Sequence, residues 1–229
     1  MHHIYQSTSV SLRQVNRCYF HGAGQSNSQR FSNISNFFLS QGVSVVALDF
    51  IGHGQTGGSL RDNSLALRTK HALAVITHWL APTTPLILLG SSMGAHTAIR
   101  ASQKLGDRVT ALCLLQPAIY AKEAEDLLFR SEFTEVLRRP ESWRSSYALA
   151  DAANFKGIVH VAIGSEDPVI PWGVIEGLAS SFKSTASSLR LEVFQGAAHE
   201  LPEWIPARPF YGEQLVAYLS QNAEKSGSN

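Results

Sequence analysis

The stretch Leu86-Ile87-Leu88-Leu89-Gly90-Ser91-Ser92-Met93-Gly94-Ala95 sets a serine between two glycines, in the pattern G-x-S-x-G, where an apolar run gives way to a helix-prone segment. Small residues at 90 and 94 let a helix pack close to the strand before it. The serine then stands exposed at the helix N-terminus, where the backbone dipole favours a developing negative charge. Only Ser92 fits this register; Ser91 does not. A glycine-flanked serine that merely caps a helix is the plainer alternative, and the buried strand in front of it argues for a nucleophile.

A serine hydroxyl attacks a carbonyl only when a base takes its proton and a third group orients that base. Nine histidines are available. His2 and His3 are terminal, His71 and His78 sit amid polar residues of a helix and read as solvated, His160 is inside a strand, and His96 lies one turn past Ser92. His199 differs: it sits in Gln195-Gly196-Ala197-Ala198-His199-Glu200-Leu201-Pro202, a turn after the last strand that opens at the same sheet edge as the serine. The acid belongs at the end of the preceding strand, in Ile163-Gly164-Ser165-Glu166-Asp167-Pro168, with Asp167 favoured and Glu166 the alternative. The resulting chemistry is acyl transfer in the order serine, acid, histidine.

The tetrahedral intermediate needs amide donors for its oxyanion. One is expected from the backbone N–H of Met93 and the other from Ala23, in His21-Gly22-Ala23-Gly24-Gln25-Ser26. As a nucleotide loop this stretch fails, because Asn27 stands where G-x-G-x-x-G needs a glycine. Gly52-His53-Gly54-Gln55-Thr56-Gly57-Gly58-Ser59 lacks the phosphate-loop lysine and reads as a structural turn. No histidine, cysteine or carboxylate cluster has metal-ligand spacing, so neither metal nor cofactor is expected.

Elements must bring these residues together. Five apolar runs, Val15 to Phe20, Val43 to Leu48, Leu86 to Leu89, Val109 to Leu115 and Ile158 to Ile163, are near-continuously hydrophobic, as strands covered on both faces require. Leu189 to Phe194 alternates, like a half-exposed edge strand, and Ile4 to Leu12 offers a short antiparallel edge. Helical spacing fills Ser28 to Ser40, Ser64 to Leu80, Met93 to Leu105, Trp172 to Phe182 and Tyr211 to Ala223. The alternation predicts an α/β fold: a mostly parallel sheet of six to seven strands with helices on both faces. Residues 1–229 read as a single domain, and 120–155, too long for a connecting loop, as a small helical lid insert or an extra surface helical pair. Its apolar residues offer an acyl pocket. Arg138, Arg139 and Arg144 are either a solvated face or a cradle for an anionic leaving group such as a coenzyme A thioester.

Composition sets the outer bounds. Of 229 residues, 44% are hydrophobic and 16% charged, enough apolar material for a sizeable core. Nineteen basic against eighteen acidic residues leave +1, which excludes the basic excess that a nucleic-acid partner demands. Cys18 and Cys113 lie in apolar runs and read as reduced core residues, pointing to a cytoplasmic location. Met1 to Ser7 lacks the charged and apolar regions of a secretory leader, no apolar run is long enough to span a membrane, and the polar tail from Ala223 is expected to fray.

Taken together, His21-Gly22-Ala23-Gly24, Asp49-Phe50-Ile51-Gly52-His53-Gly54-Gln55, Gly90-Ser91-Ser92-Met93-Gly94, Asp167 and His199 resemble an α/β-hydrolase. The nearest branch is the monoacylglycerol lipase and serine aminopeptidase-like esterases. The resemblance runs from about position 15 to about position 220. It implies a serine carboxylester hydrolase acting on a small-molecule ester or thioester, and it assigns His21 and His53 to turn organisation. It also exposes two departures: Ser91 stands where that branch usually has histidine, and the insert is shorter than a full cap domain. The same scaffold hosts carbon–carbon hydrolases, lyases, cofactor-free haloperoxidases and binding modules.

Overall fold

The computed structural model describes residues 3–5, 16–24, 26–40, 45–205 and 207–220. Val15, Val43, the stretch 6–12 of the expected N-terminal edge, Gln25 and the tail from 221 lie outside the described residues. Seven strands form one sheet: β1 (His3–Tyr5), β2 (Asn16–Phe20), β3 (Val45–Leu48), β4 (Leu86–Ser91), β5 (Val109–Leu115), β6 (Ile158–Gly164) and β7 (Ser188–Phe194), in the order β1-β3-β2-β4-β5-β6-β7. β1 runs antiparallel to β3, and the other six strands are parallel.

The continuous apolar runs are explained by what covers each face. Along β4, Leu86 and Leu88 point into one core with Ala95, Ala98 and Ile99, while Ile87 and Leu89 point into another with Ile34 and Phe38. The first core is closed by α2 (Leu65–Trp79), α3 (Met93–Leu105) and α6 (Trp172–Phe182), the second by α1 (Ser32–Ser40), α7 (Leu201–Trp204) and α8 (Pro209–Ser220). Ser64 starts α2 by accepting a hydrogen bond from the Leu67 amide at 3.1 Å, satisfying one orphan donor of the first turn.

Three local expectations shift. β7 is indeed the edge, but only Leu189 of its alternating apolar residues packs on the first core, while Leu191 and Val193 are 42% and 37% exposed. The opposite face is covered as well, where Arg190 lies over Tyr218 of α8 and Phe194 is buried. His71 is half-buried with its ring against Phe50 at 5.8 Å rather than solvated. The start of α1 is preceded by a 3₁₀ turn, Ser28–Phe31, capped by Asn27.

Residues 120–155 carry α4 (Ser131–Arg138), α5 (Tyr147–Ala152) and two 3₁₀ turns. Ala121, Ala124, Phe133 and Val136 form a separate apolar cluster with Leu65 of α2 and Met93 of α3. A polar tie reinforces it. Glu125 accepts hydrogen bonds from His96 Nε2 at 3.0 Å and Arg100 Nε at 3.1 Å, and Arg100 also pairs with Asp151. Burial pushes the Glu125 carboxyl up, but His96 and Arg100 together outweigh it and hold it below the ordinary carboxylate value. The insert is therefore clamped onto the helix that begins at the nucleophile turn.

Candidate active site

Ser92 occupies the bend between β4 and α3 with φ 52° and ψ −121°, a region that non-glycine residues rarely enter. The surroundings hold it there: its amide donates to the Leu115 carbonyl at 3.0 Å, and its carbonyl accepts from Ala95 and Ala118. Close packing demands Gly94, where a Cβ would fall 1.9 Å from the Phe20 carbonyl oxygen. The bend therefore sits directly against the end of β2, from which the His21–Gly24 loop departs.

That loop is fixed from behind. Phe50 N–H donates to His21 Nε2 at 3.2 Å, so the ring proton is on Nδ1, which donates to the Gly22 carbonyl at 2.8 Å. Burial, and then the nearby Arg68 charge, hold His21 well below the usual imidazole range, which preserves this neutral tautomer. His53 Nδ1 donates to the Ser26 carbonyl at 2.7 Å. Both histidines thus organise turns. A Cβ at Gly22 would lie 3.2 Å from Ser92 Cβ, which measures how closely the loop overhangs the hydroxyl. Ala23 lines the same cavity, and Met93, at the first position of α3, has an amide with no helical carbonyl four residues back.

His199 and Asp167 meet directly: His199 Nδ1 donates to Asp167 Oδ2 at 2.7 Å, and the Asp167 carboxylate is fully shielded from solvent. Asp167 Oδ1 accepts from the amides of Val169 and Ile170 at 2.8 and 3.1 Å. The neighbouring Glu166 is exposed, and only its backbone joins in, donating to the Ala197 carbonyl at 3.0 Å. Of the two acids, Asp167 is the one the fold brings to the imidazole. The two loops can touch because position 164 is glycine: a Cβ there would lie 2.0 Å from the Ala197 carbonyl oxygen.

One cavity of about 70 Å³ is lined by Gly22, Ala23, Ser91, Ser92, Gln116 and His199, with Phe31 and Pro202 among its walls. Ser92 Oγ and the His199 ring share this cavity without a hydrogen bond between them; such contacts commonly tighten when substrate binds. No residue of the 120–155 insert lines it; Tyr120, Phe129 and Phe133 pack with Met93 and Leu65 instead, and Trp143 and Phe155 join the first core. Arg139 and Arg144 pair with Glu123 and Glu141 on the surface.

Two residues escaped the sequence reading. Gln116 follows β5 with φ 39° and is buried; its Nε2 donates to Ser91 Oγ at 3.4 Å and its Oε1 accepts from the Leu201 amide at 3.1 Å. It joins the nucleophile bend to the histidine loop through Ser91. Its signal was a polar residue at the carboxyl end of a buried strand. Arg68 is fully buried behind the His21–Gly24 loop; its signal was a charge in register with Leu65, Ala72 and Ile76 on the apolar stripe of α2.

The family described as serine aminopeptidase, S33, matches residues 17–147, more than half of the chain. The chain belongs to this family. It is an α/β-hydrolase, as the strand order and the serine bend require. A monoacylglycerol lipase of Mycolicibacterium smegmatis is 32% identical over 106 residues, 45% of this chain and 38% of the relative. A monoglyceride lipase homolog of monkeypox virus is 32% identical over 106 residues, 44% of this chain and 37% of that protein. The chain thus spans less than two fifths of the length of either relative. Among solved structures, Est1E of Butyrivibrio proteoclasticus, bound to ferulic acid, superposes with a TM-score of 0.73 at 16% identity, covering 96% of both chains. The monoacylglycerol lipase of Paleococcus ferrophilus superposes with a TM-score of 0.72 at 18% identity, covering 96% of this chain and 98% of the other. At these identities the structural matches speak for the fold alone.

Proposed function

We propose that this S33-family protein hydrolyses a carboxylic ester of a small or medium acyl group through an acyl-serine intermediate. The observation that carries the reading is the His199–Asp167 pair at 2.7 Å, opening into the cavity that also holds Ser92 on its strained bend. In this reading His199 takes the Ser92 proton as the hydroxyl attacks the ester carbonyl, then gives it to the departing alcohol. Asp167 stays ionised and stabilises the imidazolium, its second oxygen already occupied by two backbone amides. The Ala23 and Met93 amides hold the oxyanion, each worth about a hundred- to a thousandfold in rate. Water, activated by the same imidazole, then releases the acid and regenerates the serine.

A cavity of about 70 Å³ favours short acyl groups. An ester is favoured over a coenzyme A thioester, because Arg139 and Arg144 are already paired with carboxylates and Arg138 stands away from the catalytic cavity. Residues 120–155 serve in this reading as a fixed shoulder beside the site, clamped through Glu125, rather than as its acyl pocket. The relatives' names make a glycerol monoester the natural lipid to test. Among the described residues, no helix is long and apolar enough to cross a membrane. Free, buried Cys18 and Cys113 support a reducing compartment, the cytoplasm.

The experiment is turnover of p-nitrophenyl esters from acetate to decanoate, beside a monoacylglycerol and an acyl-thioester, by wild type and Ser92→Ala. Turnover that peaks at short acyl chains and drops by several orders of magnitude in Ser92→Ala is expected. Equal turnover by the two proteins would remove the proposal.

A further inference from the structure

Arg68 lies near the start of α2, wholly buried, in a stripe otherwise made of Leu65, Ala72 and Ile76. Its Nη2 donates to the His21 carbonyl at 2.5 Å and to the Gly22 carbonyl at 3.4 Å. Its guanidinium lies 3.7 Å from the centre of the Phe50 ring, and its Nε and Nη1 have no hydrogen-bond partner. Among the described residues no carboxylate pairs with it. A buried charge without a counter-ion is expensive, and a ring face recovers only part of that cost. An apolar residue of similar length would suit the stripe better, so the cation calls for a reason outside packing.

The peptide geometry supplies that reason. In a planar trans peptide the C=O and the following N–H point in opposite directions. Holding the His21 carbonyl from behind turns the Gly22 N–H forward, and holding the Gly22 carbonyl turns the Ala23 N–H forward. Forward is the side of Ser92, since Gly22 packs on its Cβ and Ala23 lines its cavity. The His21 ring holds the Gly22 carbonyl as well, but the His21 carbonyl is held by Arg68.

We infer that Arg68 is a positioning residue of the oxyanion hole: it clamps two successive carbonyls of the His21–Gly24 loop so that their amides face the reacting carbonyl oxygen, and it places a positive charge behind them. The inference rests on the ester-hydrolase reading. Burial lowers the guanidinium to about 9, which leaves it protonated at neutral pH. The positive end of the resulting field lies where negative charge grows in the transition state.

The test compares Arg68→Met and Arg68→Lys with wild type on a p-nitrophenyl ester and on the thionoester in which sulfur replaces the carbonyl oxygen. Sulfur is a poor hydrogen-bond acceptor, so the ratio of kcat/KM for the oxygen ester to that for the thionoester reports the oxyanion donors. The ratio does not depend on how much of a variant is folded. Arg68→Met is expected to lower kcat on the oxygen ester by about a hundredfold, with KM within twofold and the ratio down at least tenfold. Arg68→Lys, with one ammonium for two carbonyls, is expected to fall between Met and wild type, and it decides by the same ratio if Arg68→Met does not fold. A wild-type ratio in the folded variants overturns the inference while leaving the hydrolase reading intact. A wild-type protein that cleaves neither ester defeats both.

Discussion

Ser92 stores strain at φ 52°, ψ −121°, a conformation that costs about 1–3 kcal/mol in a residue with a Cβ. Replacing it with glycine removes that strain against a smaller entropic loss. Ser92→Gly is therefore expected to melt higher than wild type, by on the order of 1 kcal/mol of stability, while losing activity; a lower melting temperature in calorimetry would show the bend unstrained. At the acid, Asp167 holds the imidazole and two amides, whereas Glu166 points to solvent. Asp167→Asn should lower kcat by about ten-thousandfold, through the wrong imidazole tautomer, and Glu166→Gln should stay within twofold. A severe loss in the second would move the role by one residue. Ser92, Asp167 and His199 were readable from the chain because each sits at a strand end with turn residues around it. Gln116 and Arg68 were not, since Gln116 ties the Ser91 hydroxyl to a backbone amide 85 positions from itself and Arg68 holds a carbonyl 47 positions away.

At the scale of elements, the strands were legible wherever both faces are covered, because burial on two sides forces unbroken apolar runs such as Leu86–Leu89. β7 was legible as an edge, yet the covering of its second face depends on where α8 docks, and alternation alone does not reveal that. The insert shows the same limit. Its apolar residues announced a cluster, but only the fold shows that cluster closing on Met93 and Leu65 rather than around the catalytic cavity. Glu125 is the bolt between insert and α3. Removing its charge in Glu125→Gln is expected to cost about 1.5–3 kcal/mol in chemical denaturation, with kcat reduced less than tenfold. An unchanged denaturation midpoint would mean that the apolar cluster alone secures the insert.

Across the whole molecule, buried histidines set the response to acid. Burial holds His21, His53 and His160 below the ordinary imidazole value of 6.5. The unfolded chain binds those protons near 6.5 and the folded chain does not, so stability is complete above that pH and declines as pH falls below it. Glu125, held low in the folded state, adds a loss of the same sign at more acidic pH. The melting temperature should be flat between about pH 8 and 7 and fall steadily below about 6.5; a rise on acidification would contradict the buried, neutral assignment. Three strand ends bring a serine and an imidazole to one cavity and set a buried carboxylate behind the imidazole. The most direct measurement of this arrangement is reaction with a fluorophosphonate followed by peptide mapping. One adduct per chain, on Ser92 and lost in His199→Ala, is the expected result; no adduct, or one on Ser91, would contradict it.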